Sequence, residues 1–318
     1  MTKRKKIMLI ALIILAVLVV LAIAAGFFFA SSSMSIRRQT LDEARKWQED
    51  HYDLSWYDPL EKTEYQVTSY DGYVLNAELI SNPIPADKYV LLSHGYTDNR
   101  FGSLKYTKMY LDLGFHVIVY DLRGHGENEP TFCTYSVRER KDLIALIRDC
   151  RDRYQPAVLG IHGESLGAAT SIACLEDKPQ IDFVVADCGF SDISNVLKGG
   201  VKSMHLPEGL VPLASVCARL RYGYSYDMMR PIDSLADNEI PILFIHGAED
   251  SFILPENSER MEKETKGYSE LHLIPGAAHA ASVLTAPEEY QEIVEAFLAH
   301  INTIKPATME EKTESMPN

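Results

Sequence analysis

The chain has 318 residues, 46% of them hydrophobic, and a formal charge of −14 at pH 7, which allows one large α/β core or two small ones. Residues 1–38 contain six basic and no acidic residues, so the remainder holds 25 basic against 45 acidic. An acidic body of that kind argues against nucleic acid as a partner. The five cysteines lack C-x-x-C and the histidines lack H-E-x-x-H, so no metal site and no cofactor is expected.

The first element is an uninterrupted apolar run, residues 7–30, behind the cluster Lys3-Arg4-Lys5-Lys6. At 1.5 Å per residue it can cross a hydrocarbon core of about 30 Å. A cleaved secretory signal competes with this reading, because Ala22-Ile23-Ala24 offers a small-x-small site. The run exceeds the ~7–15 residues of a signal core, which favours an uncleaved single-pass anchor. Four cations precede the span against Arg37 and Arg38 after it. That asymmetry predicts a cytoplasmic N-terminus in the cell membrane and an extracytoplasmic catalytic body. The anchor with its basic tip is assigned to 1–38.

Residues 39–50 read as a short polar helix with Leu41, Ala44 and Trp47 on one side. It belongs to a juxtamembrane segment, 39–62, that serves as a stalk or packs on the edge of the domain. Residues 63–70 and 73–81 alternate as strands around Asp71-Gly72, a strong hairpin signal. Beyond Pro85 the pattern changes to short continuous apolar strands at 89–92, 116–120, 157–161, 183–186, 242–245 and 271–274. Helices are expected between and after them at 104–113, 136–153, 165–175, 255–266 and 287–301. Such alternation means a mostly parallel sheet covered on both faces, with ligands at the carboxyl ends of its strands. The domain is drawn as 63–303. Residues 191–230 are too long for an ordinary connection and rich in Tyr, Met and Leu; they read as a small cap, with a surface excursion as the alternative. Residues 304–318 are polar and unpatterned, as in a disordered tail.

The chemistry centres on Gly163-Glu164-Ser165-Leu166-Gly167, which sits between an apolar strand and an alanine-rich helical run. A serine at the tip of a strand–turn–helix is held in a strained conformation that presents its Oγ, while the flanking glycines admit close approach of strand and helix. Serine becomes a nucleophile only beside a base, itself oriented by a carboxylate. Asp250, just past the strand at 242–245, is the expected acid. His279, in the small-residue loop Pro275-Gly276-Ala277-Ala278 after the last strand, is the expected base. Asp187, after the strand at 183–186, is a rival acid. An oxyanion would be met by the backbone N–H groups of Leu166, after the nucleophile, and of Tyr96, in the turn Ser93-His94-Gly95-Tyr96-Thr97.

His94-Gly95-Tyr96, Asp121-x-Arg123-Gly124-His125-Gly126, Gly163-x-Ser165-x-Gly167, Ile245-His246-Gly247-x-x-Asp250 and Gly276-Ala277-Ala278-His279 together resemble the α/β-hydrolase superfamily. The likeness is to its serine-aminopeptidase-like and prolyl-oligopeptidase-like branch, of the membrane-anchored type in Gram-positive bacteria, and it covers about residues 63–301. It implies an α/β-hydrolase fold: a twisted, mostly parallel sheet with an antiparallel N-terminal hairpin, helices on both faces and a cap insertion. It also implies a serine hydrolase, esterase- or peptidase-like. Asn128 stands where the family often has serine, a departure not expected to affect catalysis. The expected function is cleavage of a carboxylic ester or amide through an acyl-enzyme. The substrate is expected to be a small molecule or peptide with an apolar acyl group, suggested by the apolar, tyrosine-rich segment at 191–230. Two rivals stand beside this: an acyltransferase using the same triad, and a non-catalytic membrane-anchored binding module.

Overall fold

Buried parallel strands carry side chains on two covered faces, so the short runs of Val, Ile, Leu and Phe at 89–92, 116–120, 183–186 and 242–245 form strands. The computed structural model describes residues 2–302; the expected tail at 304–318 lies outside them. In chain order the elements are α1 (Lys3–Met34), α2 (Leu41–His51), β1 (Lys62–Thr68), β2 (Val74–Ile80), β3 (Lys88–Ser93), α3 (Leu104–Asp112), β4 (Phe115–Tyr120) and α4 (Glu139–Tyr154). They continue with β5 (Val158–Glu164), α5 (Leu166–Ala173), β6 (Phe183–Asp187), α6 (Ile193–Ser203), α7 (Leu210–Tyr222), β7 (Ile242–Gly247), α8 (Glu256–Glu264), β8 (Ser269–Ile274), α9 (Ser282–Thr285) and α10 (Pro287–His300).

The described residues divide into two compact units, one of residues 2–35 with 192–230, the other of 36–191 with 231–302. The larger holds one eight-stranded sheet in the order β1-β2-β4-β3-β5-β6-β7-β8. β2 pairs antiparallel with β1 and with β4, and β4 through β8 run parallel with β3. This is the α/β-hydrolase fold that the family resemblance implies. From β3 the order runs outward to β4 on one side and to β5, β6, β7 and β8 on the other. The chain therefore reverses direction between β3 and β5, and the crevice at their carboxyl ends is where open α/β sheets bind ligands. One side of the sheet packs Val90, Leu92, Val117, Val119, Val185, Leu243 and Ile245 against Tyr110, Tyr290, Val294 and Phe297 from helices α3 and α10.

The β1–β2 ladder stops at Thr68 and Val74, and residues 69–73 make the turn. The first strand thus stops two residues before the expected end at Tyr70, and the second starts one residue after the expected Tyr73. Asp71 Oδ1 accepts the Tyr73 N–H at 3.2 Å, and Arg123 Nη1 and Nη2 donate to Asp71 Oδ2 and Oδ1 at 2.8 and 2.9 Å, which ties the turn to the loop after β4.

In the smaller unit, α1 is exposed from Lys3 to Ala25 and becomes buried at Gly26, Ala30 and Met34. The missing side chain of Gly26 lets α7 approach. A Cβ on Gly26 would stand 2.8 Å from Leu213 Cγ and 2.9 Å from Cys217 Sγ, closer than side-chain carbons come. Ser33 Oγ and Tyr226 OH share a hydrogen bond of 2.6 Å. Among the described residues, α1 is long and apolar enough to span a membrane or to be a signal sequence. The five cysteines are all unpaired and buried.

Candidate active site

Ser165 falls between β5 and α5 with φ 53 and ψ −110, a backbone conformation that costs a side-chain-bearing residue roughly 1–3 kcal/mol. Its neighbours hold it there. A Cβ on Gly163 would lie 2.2 Å from Gly167 O, and one on Gly167 2.0 Å from Ser93 O, so strand, helix and the β3 end touch through backbone alone. The Ser165 N–H donates to Asp187 O at 2.8 Å, tying the turn to the end of β6.

The Oγ of Ser165 lies 3.0 Å from His279 Nε2, and His279 Nδ1 lies 2.6 Å from Asp250 Oδ2. A carboxylate only accepts, so Nδ1 carries the proton and Nε2 is left to accept from the serine hydroxyl. The three residues come from loops after β5, β7 and β8, brought to one edge because those strands run parallel in one sheet, with β6 between β5 and β7. His279 is part-exposed while Asp250 is buried.

Asp250 is held from several directions. Its Oδ1 accepts the backbone N–H groups of Phe252 and Ile253, each at 2.9 Å. His246 Nε2 stands 3.3 Å from Oδ2 and 2.7 Å from Ile253 O, while its Nδ1 accepts from Ser258 Oγ at 2.7 Å. Burial alone would raise the Asp250 pKa. Hydrogen bonds from His246, His279 and the Ile253 N–H prevail and hold it well below the usual carboxylate range, so Asp250 is a charged acceptor.

The rival acid is elsewhere. Asp187 is fully buried and accepts from Tyr106 OH at 3.0 Å and Ser282 Oγ at 3.3 Å. Burial, followed by the nearby Glu164 charge, pushes it up to about 6. Glu164 itself pairs with the buried Lys105 ammonium and accepts from Tyr106 OH at 2.6 Å. These groups form a polar layer beneath the nucleophile turn.

Leu166 opens α5, and the N–H of a first-turn residue has no acceptor within its helix. Gly95 lies against Ser165, where a Cβ would come 3.6 Å from Ser165 Cβ. Tyr96 follows it and shares with Ser165 and His279 a cavity of about 340 Å³. Ala44, Trp47 and Leu284 give this cavity apolar wall; Asp98, Lys105 and Glu164 give it a polar end. The sequence reading gave α2 no part in the site, and no spacing rule would have found Ala44 and Trp47 there. His246 and Lys105 were likewise missed, although the former lies within the Ile245-His246-Gly247 motif.

Asn128 bridges loops, with Nδ2 donating to Asp121 O at 2.7 Å and Oδ1 accepting from the Asn76 N–H at 2.8 Å. Asp121 accepts from Arg100 Nη1 at 2.7 Å and from the Glu127 N–H at 3.0 Å, a structural role for the Asp121–Gly126 turn. Ligand atoms of Cys188, Asp250 and His279 lie within 4.8 Å of one another. This group is poorly suited to a metal ion, since both nitrogens of His279 are engaged. Burial, with the charges of Asp187, Glu164 and Asp250, also pushes the Cys188 thiol up and keeps it protonated.

Residues 102–303 match the prolyl oligopeptidase family. The uncharacterised protein YqkD of Bacillus subtilis strain 168 is 30% identical over 284 residues, 87% of this chain and 93% of that protein. Among solved structures, the esterase Pf2001 of Pyrococcus furiosus superimposes with a TM-score of 0.67 at 23% identity, over 84% of this chain and 98% of its own. A puromycin-hydrolysing peptidase of Mycobacterium tuberculosis gives 0.64 at 18% identity, over 80% of this chain and 41% of its own. With a family match over more than half its length and a strand–turn–helix serine at the sheet's crevice, the chain belongs to the prolyl oligopeptidase family of α/β-hydrolases and is a serine hydrolase of esterase or peptidase type.

Proposed function

We propose that this protein is a membrane-anchored serine hydrolase that cleaves a carboxylic ester or amide through an acyl-enzyme. The observation that carries the reading is the continuous chain from Ser165 Oγ to His279 Nε2 and from His279 Nδ1 to Asp250. In the first step Ser165 Oγ attacks the substrate carbonyl carbon while its proton passes to His279 Nε2, and Asp250 stabilises the imidazolium that forms. The oxyanion is met by the N–H groups of Tyr96 and Leu166. Collapse expels the alcohol or amine, which takes the proton from His279 and leaves an ester on Ser165. Water, deprotonated by the same histidine, then attacks that ester, and the acid product leaves.

Ala44, Trp47 and Leu284 in the cavity beside Ser165 support a small or medium apolar acyl group. Hydrolysis of p-nitrophenyl butyrate should accordingly exceed that of charged aminoacyl amides by at least about tenfold in kcat/KM, the scale on which a few buried methylenes discriminate. Faster turnover of the aminoacyl amides would replace the apolar substrate class with a cationic one.

The anchor reading rests on α1 and its flanks: four cations before the apolar run, two after it. It puts the N-terminus in the cytoplasm and the hydrolase domain outside the cell membrane. Protease added to intact cells should degrade residues 39–302 while leaving a membrane-bound remnant of α1. A body protected until lysis would reverse the topology, and a body found free in the medium would make α1 a cleaved signal.

A further inference from the structure

We propose that α7 is a membrane-surface helix, whose Val216 and Leu220 enter the headgroup region of the leaflet that α1 leaves, while the cations around them bind anionic phospholipid. This rests on the reading of α1 as a membrane anchor.

The first support is a length. Residues 7–25 of α1 are apolar and exposed on every side, and nineteen residues at 1.5 Å each span about 28 Å, close to the thickness of a hydrocarbon core. Packing against the protein begins at the next residue, Gly26, and its contacts are Leu213 and Cys217 of α7. Farther along α1, Ser33 meets Tyr226 instead. Leu213 and Cys217 are therefore at the bilayer boundary when the bare stretch is inserted.

The second support is the arc of α7 that faces this boundary. On a helix of 3.6 residues per turn, Leu220 stands about 20° and Val216 about 60° from Leu213. Both are apolar and left bare, at 73% and 58% exposure. The opposite face, Val211, Ala214 and Ala218, is buried. An apolar strip thus continues from the bare part of α1 onto α7, where water would otherwise meet it.

The third support is charge. Residues 192–230 carry five basic and three acidic residues, while the rest of the chain beyond residue 38 carries 20 basic and 42 acidic. Lys198, Lys202, Arg219 and Arg221 are all exposed. An otherwise strongly acidic protein would be repelled by an anionic surface; this basic island supplies local attraction to lipid phosphates.

Full-length protein should be reconstituted into phosphatidylcholine vesicles with and without phosphatidylglycerol, as wild type and as L220W. Emission of the wild type, from Trp47 and Trp56, is subtracted. The emission added by L220W should fall by about half or more with lipids brominated near the top of the acyl chains, the depth at which interfacial helices bury their apolar face, and more so with phosphatidylglycerol present. V216W should behave alike, and K198E/R219E in the L220W background should remove the phosphatidylglycerol dependence. Protein that floats with the vesicles but leaves both new tryptophans unquenched overturns the α7 proposal and keeps the anchor. Protein that fails to float overturns both. Protection from aqueous quenchers that follows protein density, with no bromolipid quenching, would assign the strip to a second copy of the chain and so overturn the lipid assignment.

Discussion

Replacing Ser165 with alanine should abolish covalent labelling by a fluorophosphonate probe and lower kcat by at least about 10⁴, removal of a triad serine having cost about 10⁶ in the best-studied case. Fluorophosphonates react with an activated serine oxygen, and activation needs a base within hydrogen-bond reach. Ser165 Oγ has such a base in His279 Nε2 at 3.0 Å. The backbone that displays this oxygen is strained, with φ 53, and alanine suffers the same strain as serine. The glycines that make the turn possible are unchanged, so the variant should fold and give the wild-type circular dichroism spectrum. A folded variant that is still labelled would mean that the nucleophile lies elsewhere and that the turn at 163–167 is only a tight strand–helix connection.

The parts of the site that could be read in the sequence are those generated locally. Ser165, Asp250 and His279 each follow an apolar strand by a short turn of small residues, and a parallel sheet turns "just after a strand" into "at one edge". Helix ends were less legible. The helix expected over 136–153 runs from Glu139 to Tyr154, because the Glu139 carboxylate captures the Thr134 and Ser136 N–H groups at 2.8 and 3.1 Å and Ser136 takes φ 92. The helix expected from Ser165 begins at Leu166, since a serine at φ 53 cannot be helical. What stayed illegible depends on contacts between distant segments. Trp47 reaches the cavity beside Ser165, Lys105 pairs with Glu164, and Gly26 seats α1 on α7. No periodicity within one element encodes such meetings. Val211, Tyr226 and Met229 of the segment at 191–230 are buried, whereas Met204, Leu206 and Met228 are exposed, a division that composition alone could not make.

The acid is the position where two residues competed, and Asp250→Asn should lower kcat by at least ~10²-fold while Asp187→Asn lowers it by less than ~10-fold. Asparagine at 250 can still accept at one oxygen. It can also present an amide N–H to His279 Nδ1, which favours the imidazole tautomer with the proton on Nε2, where it blocks acceptance from Ser165. The Asp187 carboxyl instead meets hydroxyls, those of Tyr106 and Ser282 among them, which an amide can partly satisfy. The two carboxyls are also shifted in opposite senses. The Asp250 pKa is lowered in the folded protein, so its contribution to stability is present above the ordinary value of 3.8 and lost as pH falls. The Asp187 pKa is raised to about 6, so its contribution is fully present below 3.8 and lost as pH rises through about 6. Asparagine does not titrate there. The Tm of Asp187→Asn relative to wild type should therefore rise between pH 4 and pH 7, whatever its offset, while its kcat stays within the stated range. A larger kcat loss in folded Asp187→Asn than in folded Asp250→Asn would transfer the role of acid to the end of β6 and leave Asp250 as the anchor of its own turn.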